Sequence, residues 1–265
     1  MLNKPRRFTA RILSGSLAVS IGLVGVGCSP TSEPPKSSAK AAVTPDEPSD
    51  STPEVKRETV VREAAPVSPI CPPLDGFEDL RVTAKGVLFD LRYASTNNFT
   101  GAALPGYGLP GAWGVEGLGQ ALSTVAGAVG ERGYSLVIYD AYRPPQASTA
   151  MVTFARESGR EDWLRDGYIA SKSNHARGTT VDLGLRPVGS DVDADMGTAF
   201  DTFSPRSHYR GVKGEAFERR KLLRKAMVAA GFVPYGSEWW HFELERDPKP
   251  PRRAGDYDCR PAAEE

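Results

Sequence analysis

Histidine and cysteine are scarce in this chain, with three of each among 265 residues, and neither sign of charge is in excess. The 33 lysines and arginines balance 33 aspartates and glutamates, which argues against a nucleic-acid-binding protein because neutralising phosphates requires a basic surface. The apolar run at residues 12–26 is interrupted by serine and glycine and is too weak to predict a transmembrane helix. With so few histidines, the position of each one is informative.

The N-terminus has the pattern of a signal peptide, since basic residues precede the apolar run. The run ends in small residues before Cys28, which resembles a bacterial lipoprotein processing site with Cys28 as the lipidated residue. Gly25 stands where that pattern usually has leucine, so ordinary signal cleavage is the alternative. We expect residues 1–28 to direct export and Cys28 to anchor the protein in the cell envelope.

Residues 29–69 are rich in Pro, Ser, Thr, Ala and Glu and contain no aromatic residue. Such a segment cannot bury enough apolar surface to offset its ordering entropy, which predicts a disordered tether. Residues 70–265 suit a single domain with its own core. Cys71 and Cys259 lie at the two ends of this domain, and we expect a disulfide between them in an oxidising compartment, with two free thiols as the alternative.

Two separate motifs bring together residues that can bind a metal. The first runs from Ser173 to Asp182 and contains His175, and the second is Glu238-Trp-Trp-His241. Two imidazoles and one carboxylate suit a catalytic zinc ion with one open position, and Glu238 is a spare carboxylate that could act as a base.

Alternation in both motifs predicts strands that aim these ligands away from the core. Val181, Leu183 and Leu185 share one face of an extended segment, so Asp182 lies on the other. His241 likewise lies opposite an apolar face formed by Trp240, Phe242 and Leu244. An isolated histidine is often a hydrogen-bonded structural residue. Spacing alone does not decide between that role and a metal ligand.

Periodic patterns predict an α+β domain. Apolar stripes at helical spacing predict helices over residues 115–132, 144–157 and 215–230. Alternating or apolar runs predict strands over residues 86–91, 135–140, 180–185 and 240–244. Because helices and strands do not alternate strictly, α+β is favoured over a parallel α/β sheet.

The motifs resemble the D-alanyl-D-alanine dipeptidase family, the VanX-type zinc peptidases, over residues 75 to 247. The matching pieces occur in the same order: Leu91-Arg-Tyr93 through Gly101, Tyr139-Asp-Ala-Tyr-Arg143-Pro, Ser171-Lys-Ser173-Asn-His175-Ala-Arg-Gly178, Asp182, Met196-Gly-Thr-Ala-Phe-Asp201, Ser207-His208 and Glu238-Trp-Trp-His241. The resemblance implies a small antiparallel sheet flanked by helices, with one Zn²⁺ in a cleft and the dipeptide D-alanyl-D-alanine as substrate.

The resemblance also implies roles for individual residues. His175, Asp182 and His241 are the expected zinc ligands, Glu238 the general base, and Arg143 the group that stabilises the developing oxyanion. For Arg143 a structural ion pair with Asp140 is the alternative. Ser173 is expected to contact the substrate carboxylate, whereas Asp201 and Tyr93 are expected near its amine. His208 is assigned no ligand role.

Two other functions remain open on the same scaffold. One is a D,D- or L,D-carboxypeptidase that trims peptidoglycan stem peptides, and the other is an inactive wall-binding lipoprotein. Intact matches at Tyr93 and Asp201 favour the dipeptidase, while Glu238 and Arg143 argue against loss of catalysis. Export would separate the enzyme from cytoplasmic precursors, so we expect a role in wall turnover or D-alanine salvage.

Overall fold

The computed structural model describes residues 73–108 and 111–257. The predicted signal peptide and tether lie outside these residues, as do Cys28, Cys71 and Cys259. None of the helices within the described ranges has the length and apolarity needed to cross a membrane.

The strands form a two-stranded and a five-stranded sheet. In chain order they are β1 (Phe77–Asp79), β2 (Val87–Phe89), β3 (Trp113–Val115), β4 (Tyr134–Asp140), β5 (Thr180–Pro187), β6 (Phe232–Pro234) and β7 (His241–Leu244). Strand β1 pairs with β3, and the larger sheet has the order β2-β4-β5-β7-β6. The four predicted strands are present, whereas β1, β3 and β6, with three residues each, were not predicted.

The larger sheet is mixed, and this corrects the expectation of an antiparallel sheet. The pairs β4–β5, β5–β7 and β6–β7 are antiparallel, but β2 runs parallel to β4. A long connection that includes β3 and a helix separates β2 from β4, so the chain returns to the sheet in the same direction.

The helices are α1 (Leu80–Thr83), α2 (Leu118–Gly130), α3 (Pro145–Glu157), α4 (Glu161–Arg165) and α5 (Gly214–Ala229). The predicted stripe of α2 is fully buried at Leu118, Leu122, Val125 and Val129, where α2 packs against β4 and α5. This helix begins three residues later than predicted because Val115 pairs with Phe77 in the small sheet.

A second, aromatic part of the core supports the segment that follows β4. This aromatic cluster contains Tyr93, Tyr107, Trp113, Tyr142 and Tyr257. The Tyr257 hydroxyl donates to the Tyr142 carbonyl oxygen at 2.8 Å and accepts from the Trp113 amide at 3.0 Å. These contacts fix the backbone beside Arg143, which is the next residue in the chain.

Candidate active site

The register of the larger sheet aligns three polar residues in one row. Asp140 at the end of β4 is opposite Asp182 of β5, and Asp182 is opposite His241 of β7. Side chains of directly opposed residues project from the same face of a sheet, so this row converges on one place. The two predicted faces of β5 are observed. Val181, Leu183 and Leu185 are buried in the main core, while Asp182 lines a cavity.

His175 reaches the same place from a 3₁₀ turn, Asn174–Arg177, just before β5. The Ser173 hydroxyl accepts a hydrogen bond from the His175 amide at 3.2 Å and caps this turn. Gly178 ends the turn in the left-handed conformation with φ 73°, and a Cβ there would collide with the Phe77 ring. A turn that ends at Gly178 therefore carries His175, and the following strand carries Asp182.

His175, Asp182 and His241 form a compact donor group whose ligand atoms all lie within 4.8 Å of one another. His175 Nε2 is 3.3 Å from Asp182 Oδ2, and His241 Nδ1 is 3.0 Å from Asp182 Oδ1. The two imidazole nitrogens, His175 Nε2 and His241 Nδ1, are 3.4 Å apart. Although burial alone would raise it, the two imidazoles hold the pKa of Asp182 below its ordinary value.

The donor group fits a zinc ion on two observations. Asp182 Oδ1 is buried, and apart from the 3.0 Å approach of His241 Nδ1, a co-ligand of the same group, it has no polar partner among residues 73–108 and 111–257. His175 Nδ1 lies 2.7 Å from the Ala141 carbonyl oxygen, which fixes the tautomer and leaves Nε2 free to bind a metal. Two imidazole nitrogens and one carboxylate oxygen are a ligand set that catalytic zinc sites use.

Glu238 lies beside the donor group and is buried, with 6% of its surface exposed. Its Oε2 atom is 3.6 Å from His241 Nδ1. Burial raises the pKa of Glu238 well above its ordinary value, and the charge of Asp182 acts in the same direction. A carboxyl group with a raised pKa can both accept and return a proton, as a general base and acid must.

Arg143 makes the ion pair with Asp140 that was named as the alternative, and it also contacts the donor group. Its Nε donates to Asp140 Oδ2 at 2.9 Å, and its Nη2 donates to Asp182 Oδ2 at 3.1 Å. The guanidinium also stacks 4.9 Å from the centre of the Tyr93 ring and lines the cavity. These contacts hold a permanent positive charge next to the donor group.

The cavity that contains the donor group has a volume of about 240 Å³. Its buried lining residues are Tyr93, Ile169, His175, Asp182, Glu238 and Trp240, and its exposed lining residues are Gly167, Ala170, Lys172 and Tyr235. The three expected substrate-binding residues, Ser173, Asp201 and Tyr93, also line it. A small polar cavity with a buried floor and an exposed rim is therefore built around the donor group.

Asp201 lines this cavity and has one carboxylate oxygen without a partner among the described residues. Its Oδ1 accepts from the Tyr93 hydroxyl at 2.9 Å, whereas Oδ2 is buried and unpartnered within the described part of the chain. Burial raises the pKa of Asp201 well above its ordinary value, and Asp182 adds to this effect. Tyr93 is 2% exposed, so it mainly orients Asp201 and Arg143.

Several residues support the site in ways that the sequence did not predict. Asp140 was expected only as a possible partner of Arg143, yet it also lies 3.2 Å from His175 Nδ1 and accepts from the Tyr107 hydroxyl at 2.5 Å, so it supports both His175 and Arg143. Its place in the same matching piece as Arg143 was a usable signal. Tyr168 lines the cavity, and its hydroxyl lies 2.9 Å from His208 Nε2, so the third histidine reaches the site only through that tyrosine.

Comparison with known proteins gives a family match over most of the described region. Residues 74–258 match the peptidase family described as D-ala-D-ala dipeptidase. A D-alanyl-D-alanine dipeptidase of Enterococcus faecium is 33% identical over 190 residues, covering 66% of this chain and 94% of that protein. A D-alanyl-D-alanine dipeptidase of Escherichia coli K12 is 35% identical over 183 residues, covering 68% of this chain and 91% of that protein. A crystal structure of the D,D-pentapeptidase VanY with Zn(II) is a distant likeness, at 16% identity and a TM-score of 0.33 over 51% of this chain and 74% of that chain.

Proposed function

Because the chain belongs to the D-Ala-D-Ala dipeptidase family of peptidases, we propose that it is a zinc-dependent dipeptidase that hydrolyses D-alanyl-D-alanine to D-alanine. The observation that carries this proposal is the content of one cavity of about 240 Å³. A three-residue metal donor group, a buried glutamate, an arginine and an aspartate with one unpartnered oxygen all line it. Each of these groups has a distinct task in cleaving a small zwitterionic peptide.

His175, Asp182 and His241 would hold the zinc ion. When bound, Zn²⁺ supplies a Lewis acid and lowers the pKa of water toward neutrality. Asp140 and the Ala141 carbonyl oxygen, 3.2 and 2.7 Å from His175 Nδ1, keep that imidazole oriented for binding. The donor group is thus supported from behind by the end of β4.

Glu238 takes the proton from the attacking water at its carboxylate and then delivers it to the leaving amine. Its position next to His241 and its raised pKa both support this assignment. Arg143 stabilises the negative charge that develops on the carbonyl oxygen of the scissile bond. A guanidinium fits this role because it stays charged and is held rigidly by Asp140 and Asp182.

Asp201 and Ser173 are proposed to bind the two charged ends of the substrate. The unpartnered Oδ2 atom of Asp201 suits the ammonium group, and the Ser173 hydroxyl suits the carboxylate. A site that binds both ends of a dipeptide disfavours longer peptides, because an extra residue would leave one of these polar groups without its partner.

The location of the enzyme is proposed from the N-terminal sequence. Export and lipid attachment at Cys28 would put the enzyme in the cell envelope, where it meets D-alanyl-D-alanine released during wall turnover. Cell fractionation of wild type and Cys28→Ala tests this, and unprocessed protein in the cytosol would contradict it. A Cys71–Cys259 disulfide is part of the same proposal, and free thiols at both positions in the unreduced mature protein would refute it.

A substrate panel tests the proposed activity. Purified protein with zinc is offered D-alanyl-D-alanine, a pentapeptide stem ending in D-Ala-D-Ala, and intact sacculi. We expect D-alanine from the dipeptide and little or none from the other two. Preferential release from the pentapeptide would support the carboxypeptidase instead, and no release from any substrate would support the inactive wall-binding protein.

A further inference from the structure

Arg220 is a buried cation that holds the loop carrying Asp201. It lies on α5 and is only 1% exposed. Its guanidinium donates to the carbonyl oxygens of Met196 at 2.7 Å, Arg206 at 3.0 Å and His208 at 2.7 Å. These three acceptors lie at the two ends of the loop 196–208, with Asp201 between them. The Arg220 side chain therefore joins the two ends of this loop, which form its base.

The same guanidinium connects the loop to the segment that carries Glu238. Arg220 donates to the Thr198 hydroxyl at 3.4 Å, and this hydroxyl also accepts from Trp239 Nε1 at 2.9 Å. The Trp239 amide donates to the Ser207 carbonyl oxygen at 3.0 Å. Since Trp239 directly follows Glu238, the position of the glutamate is tied to the loop through two hydrogen bonds.

Asp201 needs such support because its backbone is in an unfavourable conformation. Its φ is 59°. Among the described residues, all others with a positive φ are glycines. Aspartate adopts this left-handed conformation more readily than most residues but still at some cost in energy, so contacts around the loop help to hold it. Asp201 lines the cavity and its Oδ2 atom has no partner among the described residues, so loosening the loop would move the carboxylate at the proposed ammonium site.

We propose that Arg220 is a positioning residue that sets the placement of Asp201, and with it the selectivity for a free amino group. This inference rests on the proposed function, since it specifies how that site reads the amine end of its substrate. Lysine is a poor substitute because one ammonium group lacks the planar fork that reaches the main-chain oxygens on both sides of the loop. The metal donors lie on β5, β7 and the turn 174–177, outside this loop.

Arg220→Lys tests the proposal, with Arg224→Lys as the matched control on the same helix. Arg224 stacks 4.6 Å from the Tyr209 ring and, within the described part of the chain, donates no hydrogen bond to the loop 196–208. We measure kcat/KM for D-alanyl-D-alanine and for its N-acetyl derivative, using competitive inhibition where turnover of the derivative is undetectable. We expect Arg220→Lys to lower the preference for the free amine about tenfold or more, with zinc content unchanged, and Arg224→Lys to keep both.

A double-mutant cycle with Asp201→Asn separates positioning from general damage. If Arg220 acts through Asp201, Arg220→Lys has little further effect on amine preference in the Asp201→Asn background. Thr198→Val gives a milder test for the case where Arg220→Lys fails to fold, because it removes the shared hydroxyl and keeps the shape. Unchanged amine preference in both Arg220→Lys and Thr198→Val, or additive effects in the cycle, would overturn the inference. An inactive wild type would instead overturn the proposed function, so the two failures are distinguishable.

Discussion

Replacing Glu238 by glutamine removes the proposed base and keeps its shape. Glu238 is buried, its Oε2 is 3.6 Å from His241 Nδ1, and glutamine is nearly isosteric, so the donor group should persist. Loss of a general base typically lowers the rate by about 10²–10⁴-fold, which corresponds to about 2.7–5.4 kcal/mol of transition-state stabilisation. We therefore expect kcat to fall by this factor while zinc content stays the same.

The control is Glu243→Gln, a glutamate on the same strand as His241. Glu243 pairs with Lys249 at 3.0 Å and accepts from Asn174 Nδ2 at 3.2 Å, and it does not line the cavity. Activity of Glu243→Gln should stay within a few fold of wild type. Steady-state assays and elemental analysis of both variants decide the matter, and an active Glu238→Gln enzyme would refute the assigned mechanism.

The same substitution has a signature in the stability of the metal-free protein. Because burial raises the pKa of Glu238, the folded state holds the proton more tightly than the unfolded chain, whose glutamates titrate near about 4.3. The stability that Glu238 contributes is present below that value and is lost as pH rises through the folded pKa. Glutamine has no such loss. The melting temperature of Glu238→Gln should therefore increase relative to that of wild type as the pH rises. A constant difference between the two melting temperatures across this pH range would contradict the raised pKa.

Further substitutions test the donor group, the oxyanion assignment and the core. His175→Ala, like Asp182→Ala or His241→Ala, should lose bound zinc in elemental analysis, and full retention would exclude that residue as a ligand. Arg143→Lys should lower kcat by about 10²–10³-fold with zinc retained, because lysine cannot keep contacts to both Asp140 and Asp182; unchanged kcat would leave Arg143 a structural residue. Leu122→Ala, at a fully buried position of α2, should destabilise the fold by about 2–5 kcal/mol in denaturant unfolding without changing the KM of the folded enzyme.

Local periodicity predicted the parts of the fold that depend on neighbouring residues. The alternation of β5 and β7 is a property of an extended chain with one apolar face, so the orientations of Asp182 and His241 followed directly from the sequence. The stripe of α2 was equally readable. Its first residue was not, because Val115 fits a helix locally but pairs with Phe77, and that contact is not visible in the segment itself.

Contacts between distant segments could not be read in the same way. The row Asp140, Asp182 and His241 depends on the register of three strands, which no single motif contains. Arg220 lies among charged residues in α5, as on a solvent-facing helix surface, yet it is buried because carbonyl oxygens of a loop surround it. The left-handed backbone of Asp201 was likewise not predicted, because aspartate tolerates this conformation without requiring it.

Zinc titration of D-alanine release is the most direct test of the central claim. The purified protein is freed of metal with a chelator, zinc is added back in steps, and D-alanine formed from D-alanyl-D-alanine is measured at each step. The account predicts no release without metal and a rise that saturates at about one zinc per chain, as expected for a single catalytic site. Release that persists without metal, or none at one equivalent of zinc, would contradict it.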